Sequence, residues 1–195
     1  IQSSNISLVF IDDNQTVESL NGHPVFCYRD FLELKAVKKT SVIAIADPSK
    51  RQLLQNKLVL DGINVGSVRS PTSLVMDNVS IGAGSIVSPF VTFTSDILIG
   101  EGFHANIYSY VAHDCVIGDF VTFAPGVKCN GNVVIGDGVY IGTGAIIKQG
   151  RRGEPLIIGK DAVIGMGTVV RKNVEDGALV FSDRARSVSR KRFGE

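Results

Sequence analysis

Apolar residues recur at every sixth position through the middle of the chain. This spacing matches neither the 3.6-residue period of an α-helix nor the two-residue period of a half-buried strand. The thirteen positions of the series are Val75, Ile81, Val87, Phe93, Ile99, Ala105, Val111, Ile117, Phe123, Cys129, Ile135, Ile141 and Ile147. The pattern predicts a short strand and a turn that repeat along the chain, with an apolar side chain of each strand directed inward.

Three such repeats predict one triangular coil, and successive coils stack through main-chain hydrogen bonds about 4.8 Å apart. A second small or apolar position, four residues after the first, runs from Val79 to Ala145. Glycine often follows the first position, where it favours turns that other residues resist. Cys115 and Cys129 fall on inward positions. We therefore expect both cysteines to be small core residues rather than ligands.

The series breaks once, in the segment KQGRRGEPLIIG that follows Ile147. It resumes at Ile158, Ile164 and Val170, which indicates an insertion of five residues. We expect a loop over residues 148–157 at one corner of the coil. Loops inserted into a rigid repeat often carry binding residues, so we interpret this loop as functional rather than as neutral variation.

Residues 1–70 have a different pattern, in which strand-like and helix-like segments alternate. The segment ISLVFIDDN predicts a strand that ends in Asp12 and Asp13, and SVIAIAD and INVGSV predict two more strands. YRDFLELKAVKK and PSKRQLLQNKLVLDG have apolar residues at helical spacing. This alternation predicts a small parallel, Rossmann-like α/β domain over residues 1–70, with its ligand beyond the carboxyl ends of the strands.

The chain therefore divides into an α/β domain over residues 1–70, the coil over residues 71–176 and a basic tail over residues 177–195. The tail is either a solvated segment or a contact for phosphate groups. Its basic residues after position 183 are Arg184, Arg186, Arg190, Lys191 and Arg192.

Composition narrows the function class. The 195 residues carry a net charge of +1, which gives no general attraction to nucleic acid or to a membrane surface. No segment approaches the ~20 consecutive apolar residues of a membrane span, and the start has no signal-peptide pattern. The three cysteines lack CxxC spacing and predict neither a disulfide framework nor a zinc site. We expect a cytoplasmic protein without a metal.

The adjacent His113 and Asp114 are the clearest candidates for chemistry. They are the third and fourth residues of the repeat that begins at Val111, which places them at an outward-facing corner. A neutral imidazole can remove a proton from an attacking amine or hydroxyl, and a carboxylate beside it can hold its tautomer. An exposed His–acid pair can also be an ordinary solvated corner, and the spacing alone leaves both interpretations open.

The repeat over residues 75–176 resembles the left-handed β-helix of the hexapeptide-repeat acyltransferases. With the α/β segment before it, the sequence is similar to the sugar acetyltransferases that include bacterial nucleotide-activated 4-amino-sugar N-acetyltransferases and sialic acid O-acetyltransferases. The segment HDCVIGDF resembles the signature of their general base. The resemblance implies that His113 is the base and Asp114 its partner, where the family more often has Glu. It also implies acetyl-CoA, bound between adjacent coils of a homotrimer.

The resemblance and the coil geometry together suggest further site residues. FIDDN resembles the family's acidic pair, which implies that Asp12 and Asp13 contact the uracil and ribose of a nucleotide. Asn106 matches a family position near the acceptor sugar, and we expect His104 to line the same pocket. The residues expected to contact the cofactor are Thr122, Gly131, Gly142, Arg151, Arg152, Gly165 and Lys172.

These cofactor residues are expected for different reasons. Gly131 lies one coil above His113, and its N–H is a candidate donor to the oxyanion. Thr122 occupies the position at which several amino-sugar N-acetyltransferases have a second histidine. The two later glycines of the set would let a cofactor or a partner subunit approach closely, and its three basic residues would contact the CoA phosphates.

We therefore expect direct acetyl transfer from acetyl-CoA to a nucleotide-linked amino sugar. A sugar O-acetyltransferase would use the same base, and a non-catalytic trimeric scaffold that binds a sugar nucleotide also stays open. A zinc-dependent carbonic anhydrase on the same coil needs three histidines around the metal. The sequence disfavours that class, because only His104 and His113 lie on the coil and the third histidine, His23, lies in the α/β segment.

The start of the sequence departs from the family pattern. Members open with a strand and a glycine-rich turn that approaches the sugar nucleotide. This sequence begins at the equivalent of the second strand, so we expect either that a leader segment is missing from the numbered chain or that the α/β domain is incomplete at its N-terminus.

Overall fold

The computed structural model describes residues 6–36 and 38–182. It divides into two compact units, Ile1–Lys39 and Thr40–Glu195. The sequence places the boundary after residue 70, whereas the structure groups residues 40–70 with the coil. The physical reason is direct contact, because residues 68 and 69 form the first strand of one coil face and Arg51 donates hydrogen bonds to coil carbonyls.

The first unit is small. It contains β1 (Phe10–Ile11), β2 (Ser19–Leu20), β3 (His23–Phe26) and α1 (Tyr28–Glu33). β1 pairs with β3 in parallel, and β2 pairs with β3 antiparallel. Val25, Tyr28 and Phe31 are its buried apolar side chains among the described residues. The predicted strand and helix are both present but short, and the helix ends before the predicted lysines.

The second unit opens with a parallel crossover. β4 (Thr40–Ser41) pairs in parallel with β5 (Asn64–Val65), and α2 (Pro48–Leu60) connects them. α2 begins where predicted because the Asp47 carboxylate accepts a hydrogen bond from Lys50 N at 3.0 Å and proline occupies the first helical position. The strand predicted from SVIAIAD is limited to its first residues. These short parallel pairs, β1–β3 and β4–β5, leave the Rossmann-like domain a prediction.

The coil has three faces, each a parallel sheet. Face 1 contains β6 (Val68–Arg69), β9 (Ile86–Val87), β12 (His104–Ala105), β15 (Thr122–Phe123), β18 (Tyr140–Ile141), β21 (Val163–Ile164) and β23 (Leu179–Val180). Face 2 contains β7 (Leu74–Val75), β10 (Thr92–Phe93), β13 (Tyr110–Val111), β16 (Lys128–Cys129), β19 (Ile146–Ile147) and β22 (Val169–Val170). Face 3 contains β8 (Val79–Ile81), β11 (Ile97–Ile99), β14 (Cys115–Ile117), β17 (Val133–Ile135) and β20 (Leu156–Ile158).

The strand register confirms the six-residue repeat and its one interruption. Phe93 pairs with Val111, a separation of eighteen residues. Ile141 pairs with Ile164, a separation of twenty-three, so five extra residues enter the coil after Ile147, as predicted. The inward side chains form one continuous core, in which Cys115 and Cys129 are 1% and 0% exposed. Both cysteines are therefore core residues.

Each corner of the coil needs a left-handed backbone conformation. At the corner between faces 2 and 3, Asn78, Asp96, Asp114 and Asn132 occupy equivalent positions in successive coils, with φ between 54° and 57°. Asn and Asp tolerate this conformation better than other residues with a Cβ. The face 2–3 corner is therefore a column of Asn and Asp, and Asp114 fits its backbone requirement.

Candidate active site

His113 and Asp114 form a hydrogen-bonded pair at the face 2–3 corner. Their Nδ1 and Oδ2 atoms are 2.6 Å apart, and the two side chains are 57% and 56% exposed. The backbone is held by the adjacent coils, since Asn132 N donates to His113 O and Asp114 N donates to Ser95 O. With Nδ1–H directed at the carboxylate, Nε2 keeps its lone pair and can accept a proton.

Gly131 lies directly against the imidazole of His113. A Cβ built on Gly131 would be 2.6 Å from Cε1 and 2.7 Å from Nε2 of the ring. No real Cβ tolerates such distances, so any other residue at this position would displace the imidazole. Glycine here determines where the ring lies, which is a function in addition to the donor expected from the sequence.

Polar side chains that sequence analysis missed lie beside this corner. Tyr110 Oη donates to Asn130 Oδ1 at 2.9 Å, and Asn130 Nδ2 donates to the Ile147 carbonyl at 2.7 Å. Partial burial raises the pKa of Tyr110, and Cys129 adds to the shift. The six-residue repeat does not predict the contact between Tyr110 and Asn130, because outward positions of a coil tolerate any polar residue.

A cleft of about 290 Å³ lies on face 1, beneath the segment that leads into α2. Its lining includes His104, Asn106, Thr122, Ala124 and Thr143, and we call it the face-1 cleft. Nε2 of His104 is buried without a hydrogen-bond partner among the described residues. Burial lowers the pKa of His104 to about 4; the charge of Arg51 also lowers it, and a hydrogen bond to the Ile43 backbone opposes the shift.

Arg51, on α2, is the largest fully buried side chain of the described chain, and sequence analysis did not identify it. Its guanidinium donates to the carbonyls of Gly102, Ile45, Ala46 and Phe120 at 2.7–3.1 Å. Burial lowers its pKa to about 10, and Asp47 opposes that shift. A charged residue on a helix usually indicates a solvated face, so no sequence signal marked it.

Thr122 is part of the same buried cluster. Its hydroxyl accepts from Arg51 Nη2 at 2.9 Å and donates to the Ala46 carbonyl at 2.8 Å. The hydroxyl proton of Thr122 is thus directed at a carbonyl of its own chain. Thr122 joins the coil to the segment before α2, and its contact with the cofactor stays a prediction.

The two later glycines of the predicted cofactor set also contact their own chain. A Cβ on Gly142 would be 2.6 Å from Met166 N of the next coil, and one on Gly165 would be 2.3 Å from the Phe181 ring. Both glycines permit close stacking within the chain. Their contact with the cofactor stays a prediction.

The inserted loop is a tight hairpin on the same corner as His113. Arg151 and Glu154 exchange both backbone hydrogen bonds at 2.9 Å, and Gly150 N donates to Gly131 O. The side chains of Arg151, Arg152 and Lys172 are exposed. They are thus available to a ligand, and their contact with the CoA phosphates stays a prediction. The predicted phosphate contacts of the tail, Arg184, Arg186, Arg190, Lys191 and Arg192, lie outside the described residues.

In the first unit, both predicted nucleotide-binding aspartates accept hydrogen bonds from backbone groups of the same unit. Asp13 Oδ1 accepts from Tyr28 N at 2.7 Å, at the first residue of α1, and Asp12 Oδ1 accepts from Asn14 N at 2.9 Å. Asp13 therefore caps α1 from a distant loop, in place of Cys27, which has no capping bond. The nucleotide contact stays a prediction, because these bonds use one oxygen of each carboxylate.

The candidate residues fall into two groups that one chain does not bring together. His113, Asp114, Gly131 and the hairpin share the face 2–3 corner, whereas His104, Asn106 and Thr122 lie on or next to face 1. In a triangular coil that corner is opposite face 1. A site that uses both groups therefore needs a second subunit.

Residues 6–36 and 38–182 contain neither a candidate metal site nor a candidate membrane span. Within these ranges, no three His, Cys, Asp or Glu side chains are clustered closely enough to hold a metal ion. No helix in the same ranges has the length and apolar character to cross a membrane.

Comparison with known proteins identifies close relatives, although no protein-family profile matches. Over 187 residues the chain is 50% identical to the GDP-perosamine N-acetyltransferase of Escherichia coli O157:H7. The alignment covers 96% of this chain and 85% of that enzyme. It is similar to WeeI from Acinetobacter baumannii AYE, with a TM-score of 0.88 and 54% identity over 91% of this chain and 84% of WeeI.

A third similarity concerns a structure with a bound ligand. The chain matches the acetyltransferase domain of PglB from Neisseria gonorrhoeae FA1090 in complex with acetyl coenzyme A. The TM-score is 0.81 and the identity 27%, over 93% of this chain and 86% of that domain. The predicted left-handed parallel β-helix is confirmed.

Proposed function

Because this chain belongs to the hexapeptide-repeat sugar acetyltransferases, we propose that it transfers an acetyl group from acetyl-CoA to the amino group of a nucleotide-linked amino sugar. The observation that carries the proposal is the exposed His113–Asp114 pair at 2.6 Å, in a chain 50% identical to an amino-sugar N-acetyltransferase. A positioned base next to an open surface is what direct acyl transfer requires.

His113 is the proposed general base. Its Nε2 removes a proton from the substrate amine as the amine nitrogen bonds to the thioester carbonyl carbon. The carbon–sulfur bond then breaks, and the imidazolium returns the proton to the leaving thiolate. The products are the amide and the free CoA thiol. Asp114 holds Nδ1–H and favours the imidazolium as it forms.

Gly131 is the proposed donor to the oxyanion. It lies against the His113 ring, so its N–H and Nε2 are close to one reacting group. A backbone donor in a rigid coil costs no reorganisation when charge develops on the carbonyl oxygen. Cys115, only 1% exposed in the core beside the pair, is not required, since direct transfer needs no acyl-enzyme.

We further propose that the active enzyme is a homotrimer with sites shared between subunits. The support is geometric: the face 2–3 corner and the face-1 cleft are on opposite sides of one coil, so a neighbouring subunit must supply one of them. Three-fold rotation would repeat this contact three times and close the ring.

Mixed oligomers test the shared site. His113→Ala lacks the base, and Asn106→Trp places a large ring at the cleft, so each variant alone should be inactive. Equal co-expression should restore about a quarter of the wild-type rate, because that fraction of random interfaces combines an intact corner with an intact cleft. Mixed oligomers without activity would show that both groups act within one subunit.

The exposed Arg151, Arg152 and Lys172 are the proposed contacts for the CoA phosphates. The hairpin that carries both arginines adjoins the coil of Gly131 through the Gly150–Gly131 hydrogen bond. Guanidinium groups bind phosphates through paired, charge-assisted hydrogen bonds. Asp12 and Asp13 remain the proposed nucleotide contacts, each through its second carboxylate oxygen.

An assay of acetyl-CoA-dependent thiol release tests the function directly. The acceptors are GDP-perosamine and a panel of UDP-, dTDP- and GDP-linked 3-amino and 4-amino sugars. We expect fast release with one amino sugar and none with its hydroxyl analogue. Release with hydroxyl sugars such as sialic acid, and with no amino sugar, would favour the O-acetyltransferase alternative.

The reaction is proposed to occur in the cytoplasm. Cys27, Cys115 and Cys129 are all free thiols, which suits a reducing compartment.

The same assay tests the scaffold alternative. Binding of acetyl-CoA and of a sugar nucleotide without any thiol release would favour a non-catalytic scaffold.

A further inference from the structure

The peptide bond between Asn130 and Gly131 lies beside the imidazole of His113. A Cβ on Gly131 would be 2.6 Å from Cε1 of that ring, so the glycine backbone lies against it. Gly131 N donates to no acceptor among the described residues, which leaves its N–H available to a ligand. The direction of this N–H depends on how the peptide plane is held.

The carbonyl of this peptide is directed into the core. The Cys115 thiol donates to Asn130 O at 3.3 Å, and the Cys129 sulfur lies 3.8 Å from the same oxygen. Both thiols are buried. In a planar trans peptide the C=O and the following N–H are on opposite sides. The Gly131 N–H is therefore directed away from the core, at the corner where His113 is exposed.

The backbone hydrogen bond next to this peptide is the longest of its column. Asn130 N donates to Ile147 O at 3.3 Å, at the residue after which the inserted loop begins. The equivalent bonds of the other coils are 2.8–3.1 Å long, and their donors are the N atoms of Met76, Thr94, Ala112 and Lys148. Since hydrogen bonds weaken with distance, the backbone alone holds this peptide less firmly than its equivalents.

The side chain of Asn130 adds a second bond to that carbonyl. Its Nδ2 donates to Ile147 O at 2.7 Å, and its Oδ1 accepts from Tyr110 Oη at 2.9 Å. A carbonyl can only accept, so the orientation of the amide is determined and the tyrosine must be the donor. Asn130 is thus joined to the next coil and to the previous one. We call Tyr110, Asn130 and these two bonds the Asn130 clamp.

The Asn130 clamp occurs only at the coil of Gly131. At equivalent outward positions, Met76 and Ala112 have no polar donor, and the Thr94 hydroxyl is buried without a partner among the described residues. In the described part of this column, only Asn130 donates from its side chain to a carbonyl of the next coil. The clamp is therefore a local feature of the coil that carries the glycine and not a property of the repeat.

We propose that Tyr110 and Asn130 are positioning residues for acetyl transfer, because they hold the Asn130–Gly131 peptide with its N–H directed at the oxygen of the thioester carbonyl. This inference rests on the proposed function, in which the Gly131 N–H binds the oxyanion and His113 is the base. A donor held in place stabilises the charge of the transition state and adds little to ground-state binding. The clamp should therefore act on kcat rather than on KM.

Steady-state kinetics with acetyl-CoA and GDP-perosamine test the clamp. Asn130→Ala removes both bonds and should lower kcat about 10²-fold, the lower end of the loss caused by removing an oxyanion donor. Tyr110→Phe removes one hydroxyl and should lower kcat about fivefold. The KM of both substrates should stay within about twofold of the wild-type value.

Two control variants match these changes. Tyr108→Phe removes a hydroxyl that makes no hydrogen bond within the described chain, and Thr94→Ala removes a side chain from the same column two coils earlier. Both should keep the wild-type kcat. Tyr110→Phe is the decisive variant if Asn130→Ala does not fold, because it keeps the ring.

A double-mutant cycle separates positioning from a general structural role. In Gly131→Ala the added Cβ already displaces the ring, so Tyr110→Phe should cause little further loss of kcat in that background. An equal loss in both backgrounds would show that Tyr110 acts independently of Gly131 and would overturn the inference. The pH dependence of kcat in Tyr110→Phe should stay that of the wild type, since the His113–Asp114 pair is untouched. A shifted profile would mean that Tyr110 acts on the base instead, against the inference.

Two outcomes distinguish this inference from the proposed function. An active wild type, together with wild-type kcat in both Tyr110→Phe and Asn130→Ala, would overturn the clamp and leave the proposed function intact. No turnover of any amino sugar by the wild type would overturn the function and the clamp together.

Discussion

The face 2–3 corner and the face-1 cleft differ in how the chain builds them. At the corner, two residues adjacent in sequence form an exposed pair at 2.6 Å. The wall of the cleft depends on Arg51, which bonds to its lining residue Thr122 and reaches groups 51 to 71 residues away through buried hydrogen bonds. The corner needs only a correctly wound coil, whereas the cleft needs α2 docked on that coil.

This difference separates chemistry from stability. Removing an exposed side chain at the corner leaves no buried group unsatisfied, so it should change the reaction and leave the fold intact. Removing Arg51 leaves carbonyls buried without donors, which destabilises the protein. The predictions below test this separation in decreasing order of expected effect.

The largest effect is expected from His113→Ala. Loss of the base should lower kcat by about 10²–10⁴-fold, while the oligomer and the denaturation midpoint stay at wild-type values. Thiol-release kinetics, size-exclusion chromatography and urea denaturation measure the three quantities. A wild-type rate in this variant would exclude His113 as the base.

Arg51→Met should have the largest effect on stability. The buried carbonyls of Gly102 and Phe120 lose their donor, so the free energy of unfolding should fall by ~3 kcal/mol or more. Lys50→Met, an exposed neighbour on α2, is the matched control and should change it by less than ~0.5 kcal/mol. Equal urea midpoints for both variants would contradict the buried anchor.

Gly131→Ala tests whether the corner depends on ring position. The added Cβ would displace the His113 imidazole, and kcat should fall by about 10²-fold with little change in stability. Gly177→Ala has open space but a φ of 66°, so it should lose ~1 kcal/mol of stability and keep kcat. If both variants lower kcat, or both lower only the stability, the proposed effect of Gly131 on the position of the His113 ring is contradicted.

Asp114→Asn should have a smaller effect on the rate. It keeps the shape and the left-handed backbone but loses the charge that favours the imidazolium, so kcat should fall about tenfold. Asp96→Asn, one coil earlier in the same column with a φ of 56°, is the control and should keep the wild-type kcat. Parallel losses in both variants would indicate a role for the column rather than for the pair.

Outside that order, His104 should contribute a pH dependence of stability. Its pKa falls from 6.5 to about 4 on folding, so between these values the unfolded chain binds a proton that the folded chain does not. Stability should decrease as the pH falls from 6.5 to 4. Urea midpoints across that range should fall less in His104→Gln than in the wild type, and identical slopes would argue against a buried neutral imidazole.

Much of the fold was predictable because the repeat is local. One inward side chain every six residues, as at Phe93 and Val111, determines the strands, their register and the five-residue insertion after Ile147. The sequence also identified His113 and Asp114, since an outward corner position follows from the same count. The start of α2 was predictable from Asp47 and Pro48, which satisfy the first turn through neighbouring residues.

The tertiary structure alone decided what contacts occur between distant segments. It showed that residues 40–70 join the coil, that the Thr122 hydroxyl is bound to Arg51 and Ala46, and that Gly142 and Gly165 are filled by their own chain. It also left Nε2 of His104, a residue that lines the face-1 cleft, buried without a hydrogen-bond partner among the described residues. The physical reason is range: a six-residue period fixes each strand against its nearest coils, whereas a buried guanidinium selects partners that no periodicity relates to it.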